Sequence, residues 1–143
     1  MIKIGITGSL ASGKTTASRI LSYKNGPLFS ADKIVKELYK RKHINDLIRK
    51  KLRINKKDNV KKSVKKMILE DLKNISKIEK IIHPLIRKRM KSFTSKHKNK
   101  KLLFYEIPLL IESKLMNFFD LIIFVKSKKK TRLKRFKSKK GDE

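Results

Sequence analysis

The stretch that decides the fold of this chain is Gly8-Ser9-Leu10-Ala11-Ser12-Gly13-Lys14-Thr15. It follows the pattern G-x-x-x-x-G-K-[ST] of a phosphate-binding loop, or P-loop. The apolar segment 2–7 (IKIGIT) before it predicts a strand, and the pattern of residues 14–22 predicts a helix. A strand before the loop and a helix after it form the context that this motif requires, so the sequence predicts a nucleotide-binding α/β fold.

The residue types of the loop match the chemistry of a nucleoside triphosphate site. The glycines let the backbone direct its N–H groups at phosphate oxygens, and the start of the following helix attracts the same anion. The Lys14 ammonium can reach the β- and γ-phosphates, and the Thr15 hydroxyl can ligate Mg²⁺. We therefore expect ATP as co-substrate together with Mg²⁺. The predicted ATP-binding residues of the loop are Gly8, Ala11, Ser12, Gly13, Lys14, Thr15 and Thr16.

The composition excludes several classes of protein. A chain of 143 residues suffices for one domain, and the absence of Cys excludes disulfides, thiolate catalysis and Cys-based zinc sites. His43, His83 and His97 lie far apart and lack metal-ligand spacing. The N-terminus does not resemble a signal peptide, and the longest uncharged run, 4–13, is about half of a membrane helix. These features predict a soluble, cytoplasmic protein.

The formal net charge of +29 has two interpretations. A strongly basic chain is typical of proteins that bind nucleic acid or an anionic membrane surface. However, Lys supplies 33 of the 41 basic residues, without the interleaved Arg and aromatic residues of a base-reading surface. We favour a solvated Lys surface that attracts polyanionic substrates such as nucleotides, with no specific nucleic acid and no membrane as partner.

The residue pattern in the middle of the chain predicts mostly helices. Residues 28–30 favour an extended segment, and Asp32–Tyr39 has helical apolar spacing. From about residue 41 to residue 99 the chain is basic and mostly helical in pattern. Within it, Ser76-Lys77-Ile78-Glu79 fits the S-x-x-E capping box and predicts a helix start, and His83-Pro84 predicts an interruption of that helix.

The last third returns to strand patterns. Residues 101–106 (KLLFYE) predict a strand that ends at Glu106, and Leu109–Met116 suits a short helix. Residues 121–125 (LIIFV) predict a buried strand, and Ser127 is a candidate cap for a final basic helix running toward Lys140. Strands that alternate with helices imply a parallel sheet of the α/β class.

Two acids lie where strands are predicted to end, and each has two interpretations. Asp32 could accept the proton of an attacking hydroxyl, or it could only cap the helix that follows. Glu106 could hold Mg²⁺ as a Walker-B-type acid does, or it could be an exposed acid at a strand end.

The basic candidates leave alternatives open as well. His83 could contact a substrate, or it could pack beside its proline as a structural residue. Arg132, Arg135 and Lys139 recur at three- and four-residue spacing. They could face the ATP phosphates as part of a lid, or they could be solvated.

Several segments together resemble dephospho-CoA kinases, the enzymes of the last step of coenzyme A synthesis. They occur in the order and at the spacing of that family, and they span almost the whole chain. The segments are IGITGSLASGKTT (4–16), SADKIVKELY (30–39), IIHPLIRKRM (81–90), EIPLLIE (106–112) and RLKRF (132–136).

This resemblance implies transfer of the ATP γ-phosphate to the ribose 3′-hydroxyl of dephospho-CoA, with Asp32 as the base. Lys14, which can reach the β- and γ-phosphates, is the second predicted catalytic residue. The resemblance implies that His83, Pro84 and Arg87 lie near the acceptor, and that Pro108 and Leu109, in the loop after the central strand, also bind the substrate. On the ATP side, Arg135 and Lys139 join the loop residues, and Thr15 and Glu106 are the candidate metal ligands.

The resemblance also predicts a single, three-layer P-loop kinase domain over 1–143, with a parallel sheet and an inserted helical region. Residues 1–40 and 100–126 would form the nucleotide-binding core, about 41–99 the helical CoA-binding region, and 127–143 the start of a lid.

In two places the chain departs from the family pattern. Ser30 replaces the first acid of the family's D-A-D, and the chain ends where the lid helices of the family begin. We therefore expect a C-terminally truncated chain without the last strand and part of the lid. The alternatives are another P-loop metabolite or nucleoside kinase, an inactive fragment, or a basic nucleic-acid-binding protein.

Overall fold

The computed structural model describes residues 1–111 and 113–140, and for Lys139 and Lys140 it describes the backbone alone. Its strands are β1 (Ile2–Gly8), β2 (Leu28–Ser30), β3 (Leu102–Glu106) and β4 (Leu121–Val125). Its helices are α1 (Lys14–Ser22), α2 (Ala31–Lys40), α3 (Lys42–Leu52), α4 (Val60–Glu70), α5 (Asn74–Lys96) and α6 (Lys129–Lys140), with a 3₁₀ turn at Met116–Phe118.

The chain divides into two compact units. One unit, here called the α/β unit, consists of residues 1–31 and 93–143, and the other, the helical unit, consists of residues 32–92. The chain crosses from one unit to the other at the start of α2 and near the C-terminal end of α5. The predicted single kinase domain, with its helical region at about 41–99, stays a prediction.

The sheet of the α/β unit is parallel, with the strand order β2-β3-β1-β4. β1 lies in the interior and pairs with β3 from Ile2↔Leu102 to Ile6↔Glu106, and with β4 up to Gly8↔Val125. Parallel neighbours need crossover connections, which the intervening helices supply. The prediction of an α/β fold with a parallel sheet is confirmed. Because the strands are parallel, their carboxyl ends share one edge of the sheet, where the P-loop and Glu106 both lie.

An aromatic cluster packs around Tyr105 of β3. The rings of Phe29, Phe93, Phe118 and Phe119 lie with their centroids 5.4 to 5.7 Å from that of Tyr105. The Tyr105 hydroxyl is 2.7 Å from Thr94 Oγ1. Burial raises the pKa of Tyr105, and the hydrogen bond with Thr94 opposes that rise. The cluster fixes the C-terminal turns of α5 against the sheet.

The helical unit has its own apolar core. Helical spacing brings the apolar residues of four helices to one side, where they exclude water. The buried members are Leu38, Ile44, Ile48, Val60, Val64, Ile81 and Ile82. No helix in the described ranges is long and apolar enough to cross a bilayer.

The predicted interruption at His83-Pro84 is wrong, because α5 runs without a break from Asn74 to Lys96 and contains Pro84. The predicted start at the capping box is also wrong, since the helix begins two residues before Ser76. A proline inside a helix costs about 3 kcal/mol. Buried side chains before and after it, such as Ile82 and Met90, hold both halves of α5 in place and offset that cost.

The predicted helix at Leu109–Met116 is wrong. The described residues of this segment form turns, and the short 3₁₀ helix begins only at Met116. Leu109 and Lys114 have φ values of 54° and 55°. Left-handed backbone at two positions stops a right-handed helix, whatever the apolar spacing of the side chains.

β4 is a strand as predicted, but it is not buried. It is the last strand in the sheet order, and Leu121 and Phe124 are 52% and 53% exposed. An apolar run cannot report whether its strand lies inside a sheet or at its edge. The capping prediction for Ser127 is wrong too, because α6 begins at Lys129 and the Ser127 hydroxyl has no hydrogen-bond partner among the described residues.

Candidate active site

The P-loop runs from the end of β1 into the first turn of α1, as the sequence predicted. Gly8 has a φ of 152° and Gly13 a φ of 98°, and Ala11 between them is also left-handed at 56°. A Cβ atom at Gly8 would lie 2.3 Å from the carbonyl oxygen of Val125 on the neighbouring strand. Glycine is therefore required at position 8 for its conformation and for the close approach of β4.

Lys14 folds back over this loop. Its Nζ atom donates hydrogen bonds to the carbonyl oxygens of Gly8, at 2.9 Å, and Ser9, at 3.0 Å. Its helix α1 has no side-chain cap, and the first turn contains no acid. The ammonium and the helix N-terminus thus bring positive charge to the same loop, which is the arrangement that binds phosphate.

Ser12 adds a buried polar atom to the loop. It is 4% exposed, and its Oγ atom has no hydrogen-bond partner among the described residues. An unpaired buried hydroxyl is costly, and a phosphate oxygen in the loop would satisfy it. Thr16, the last predicted loop residue, follows in α1 and is exposed.

Thr15 and Glu106 meet although they are 91 positions apart in the sequence. The Thr15 hydroxyl donates to Glu106 Oε1 at 2.5 Å. Glu106 is opposite Ile6 in the sheet register and is 3% exposed, so the alternative of an exposed strand-end acid is wrong. A carboxylate and a hydroxyl oxygen side by side are the hard donors that Mg²⁺ prefers.

Arg135 of α6 reaches the same loop. Its Nη1 atom is 3.2 Å from the carbonyl oxygen of Ser12 and 3.4 Å from that of Ala11, and both oxygens accept. The structure thus brings Arg135 to the P-loop, while its contact with the ATP phosphates stays a prediction. The side chain of Lys139, the other predicted ATP contact on α6, lies outside the described residues.

The loop after β3 continues from the same edge of the sheet. Ile107 is buried, and its N–H donates to the carbonyl oxygen of Ile6 at 3.0 Å. Pro108 is half-buried, and Leu109 is left-handed and 59% exposed. These two predicted substrate residues therefore lie next to the buried Glu106 along the chain.

The predicted acceptor residues lie in the helical unit. Asp32 is exposed and is the second residue of α2, which begins at Ala31, so the alternative of a helix cap is wrong. It lines a cleft of about 780 Å³. His83, Pro84 and Arg87 of α5 line a different cleft of the same unit, of about 400 Å³. The structure thus places the two parts of the predicted acceptor site in separate clefts.

The sequence analysis missed most of the residues that share the cleft of Asp32. They are Val35, Lys36, Tyr39, Lys40, Asn45, Asn59, Val60 and Lys61. With 33 lysines in the chain, no pattern in the sequence separates Lys36 or Lys61 from the rest. The spacing of Asp32, Lys36 and Lys40, at four-residue steps on one helical face, is the one signal that could have pointed to them.

A model of the family described as dephospho-CoA kinase matches residues 2–142. The chain belongs to the dephospho-CoA kinase family. A dephospho-CoA kinase of Rickettsia typhi is 37% identical over 135 residues, which cover 94% of this chain and 70% of the relative. The dephospho-CoA kinase of Fusobacterium nucleatum is 33% identical over 136 residues, covering 92% of this chain and 70% of the relative.

Solved structures support the same fold. A crystal structure of a Thermus thermophilus protein matches with a TM-score of 0.82 at 22% identity, covering 98% of this chain and 73% of the other. The dephospho-CoA kinase of Campylobacter jejuni matches with a TM-score of 0.55 at 20% identity, covering 99% of this chain and 98% of the other. The family resemblance in the motifs and the predicted P-loop kinase fold are both confirmed.

Proposed function

We propose that this chain transfers the γ-phosphate of ATP to the ribose 3′-hydroxyl of dephospho-CoA and releases coenzyme A and ADP. The observation that carries this proposal is the P-loop of a dephospho-CoA kinase family member, with Lys14 on the loop and Thr15 bonded to the buried Glu106. A small molecule is therefore the substrate. A cytoplasmic location and the absence of nucleic acid among the partners stay predictions.

In the proposed step, the acceptor oxygen attacks the γ-phosphorus while the bond from that phosphorus to the β–γ bridging oxygen breaks. ADP leaves with the electron pair of that bond, and the hydroxyl proton passes to the Asp32 carboxylate. Lys14 neutralises the charge on the transferred group, and the backbone N–H groups of the P-loop hold the phosphates in line. Arg135 adds a second cation beside the loop.

The donor set at Thr15 and Glu106 fits Mg²⁺. This cation keeps several waters and binds through one or two protein oxygens plus substrate phosphates, so a full cage of side chains is not needed. Accordingly, the described residues contain no group of three or more acids and histidines that could hold a metal on their own. When bound, Mg²⁺ neutralises charge on the β- and γ-phosphate oxygens.

The test is to incubate the purified chain with Mg²⁺-ATP and dephospho-CoA and to follow CoA and ADP by mass spectrometry. Lys14→Ala should reduce CoA formation on the order of 10⁴-fold, because the charge on the transferred phosphoryl group loses its counter-ion. Lys101→Ala removes an equal charge from an exposed position before β3 and should leave the rate unchanged.

Other results would point elsewhere. ATP turnover without CoA, or turnover with a nucleoside or another metabolite hydroxyl, would assign the chain to a different acceptor. ATP binding that survives Lys14→Ala would contradict the P-loop assignment. Binding of nucleic acid that falls steeply with salt and survives Lys14→Ala would support the basic-binder alternative.

A further inference from the structure

The cleft that carries Asp32 is the largest cavity described above, at about 780 Å³. A volume of this size lies within the range of pockets that hold a nucleotide-sized ligand. Its walls come from α2, α3 and the start of α4, all in the helical unit. Asp32 is the one acid among its lining residues, which also include three lysines.

One wall is a face of α2. Asp32, Lys36 and Lys40 follow one another at intervals of four residues, so they lie on the same face of the helix, about 6 Å apart along its axis. The proposed base, Asp32, is therefore followed on the same helical face by two lysines. None of the three forms an ion pair with a described residue.

The N-terminal end of α4 also lines the cleft. Asn59 caps this helix, since its side chain accepts from the Lys62 N–H at 3.1 Å. Val60 and Lys61 follow in the first turn, which contains no acid. The ammonium of Lys61 and the positive end of an eleven-residue helix thus add to the cations that α2 contributes to the same cleft.

Asn45 of α3 adds a polar side chain to the lining of this cleft. Its Nδ2 atom donates to the carbonyl oxygen of Tyr39 at 2.9 Å, which fixes the amide. Its Oδ1 atom is buried and accepts no hydrogen bond from any described residue. A buried acceptor without a partner is unfavourable, and a small rotation of the Asn45 amide would let it accept from a hydroxyl or amino group of a ligand.

We infer that this cleft binds the 5′-diphosphate of the acceptor nucleotide through Lys36, Lys40 and Lys61. The inference rests on the proposed function. In dephospho-CoA only the ribose separates the 3′-hydroxyl from the 5′-diphosphate. The diphosphate of an acceptor whose hydroxyl is at Asp32 is therefore close enough to be reached by the lysines of the next turns of α2. The three ammonium groups and the N-terminus of α4 complement that dianion, and a hydroxyl or amino group of the nucleoside pairs with Asn45.

The test compares two triple variants that remove the same charge. The cleft variant is Lys36→Gln, Lys40→Gln and Lys61→Gln. The control variant is Lys50→Gln, Lys51→Gln and Lys65→Gln, three exposed lysines of the same unit that do not line the cleft. The cleft variant should raise KM for dephospho-CoA about tenfold or more, because three charge contacts are lost at up to about 1 kcal/mol each. KM for ATP should stay within about twofold in both variants, with unchanged melting temperatures.

Adenosine as acceptor separates this subsite from general attraction by a basic surface, because it has the 3′-hydroxyl and lacks the diphosphate. The preference for dephospho-CoA over adenosine in kcat/KM should fall about tenfold in the cleft variant and stay unchanged in the control. An equal rise of KM in the two triple variants would overturn the inference.

A direct titration with inorganic pyrophosphate distinguishes failure of the inference from failure of the proposed function. The titration is run with a saturating non-hydrolysable ATP analogue, so that the P-loop is occupied. If the wild-type chain forms no CoA, the proposed function fails. Calorimetric binding of pyrophosphate that is lost in the cleft variant and kept in the control would then still support the anion subsite. Pyrophosphate binding that is equal in all three proteins would overturn it.

Discussion

The residues proposed to bind ATP and those proposed to bind the acceptor differ in their burial and in their contacts with the rest of the protein. In the α/β unit, Glu106 is 3% exposed and accepts a hydrogen bond from Thr15. Lys14 donates hydrogen bonds to two carbonyl oxygens of its own loop. In the helical unit, Asp32 and Arg87 are exposed, and His83 is half-buried. The residues proposed for ATP are thus positioned by strand register and loop geometry. The residues proposed for the acceptor lie on the outer faces of helices.

This difference predicts how each side responds to substitution. A substitution among the residues proposed for ATP alters hydrogen bonds with neighbouring protein groups as well as charge, because those groups contact the side chain directly. A substitution on an exposed helical face alters the charge or the hydrogen-bonding groups offered to the acceptor and leaves the backbone in place.

Asp32→Asn should lower kcat by about 10²–10⁴-fold, since the amide cannot accept the proton of the attacking hydroxyl. ATP affinity should stay within about twofold, because the substitution leaves the contacts of Lys14, Thr15 and Arg135 in place. Steady-state kinetics and calorimetric titration with ATP measure the two effects. Glu37→Gln, an exposed acid of the same helix outside the cleft, is the matched control. An unchanged kcat in Asp32→Asn would remove this residue from the role of base.

Glu106→Gln should raise the Mg²⁺ concentration needed for half-maximal activity by about 10–100-fold, because the site loses its buried negative charge. The fold should remain, since the side chain keeps its shape and can still accept from Thr15. A Mg²⁺ titration of the initial rate measures this, with Glu70→Gln on the exposed surface of α4 as control. If the Mg²⁺ dependence of Glu106→Gln matched the wild type, Glu106 would be a structural acid.

Arg135→Gln should have the smallest effect, an increase of about two- to fivefold in KM for ATP. Its guanidinium is exposed and its contacts with Ser12 and Ala11 are single hydrogen bonds, so solvent screens most of its contribution. Lys134→Gln removes the same charge one position earlier and should leave KM unchanged. Equal effects of the two substitutions would mean that Arg135 acts only through the net charge of α6.

Prediction from the sequence was correct for local features that require a particular residue type or a clear apolar pattern. The glycines of the P-loop are required by positive φ values, and β1 and α1 follow from short, clear apolar patterns. Prediction was wrong where tertiary packing outweighs local preference. Pro84 lies inside a continuous helix because buried residues hold both halves of α5, and the segment after Pro108 forms left-handed turns in spite of its helical spacing.

By itself, the sequence determined the P-loop, the α/β class and the family, because these depend on residues that are adjacent along the chain or recur in fixed motifs. Only the tertiary structure decided that Glu106 is buried against Thr15 and that Arg135 contacts the loop. It alone separated Lys36, Lys40 and Lys61 from the other lysines. The physical reason is that burial and contact between distant segments depend on strand register and helix packing, and these are properties of the whole fold.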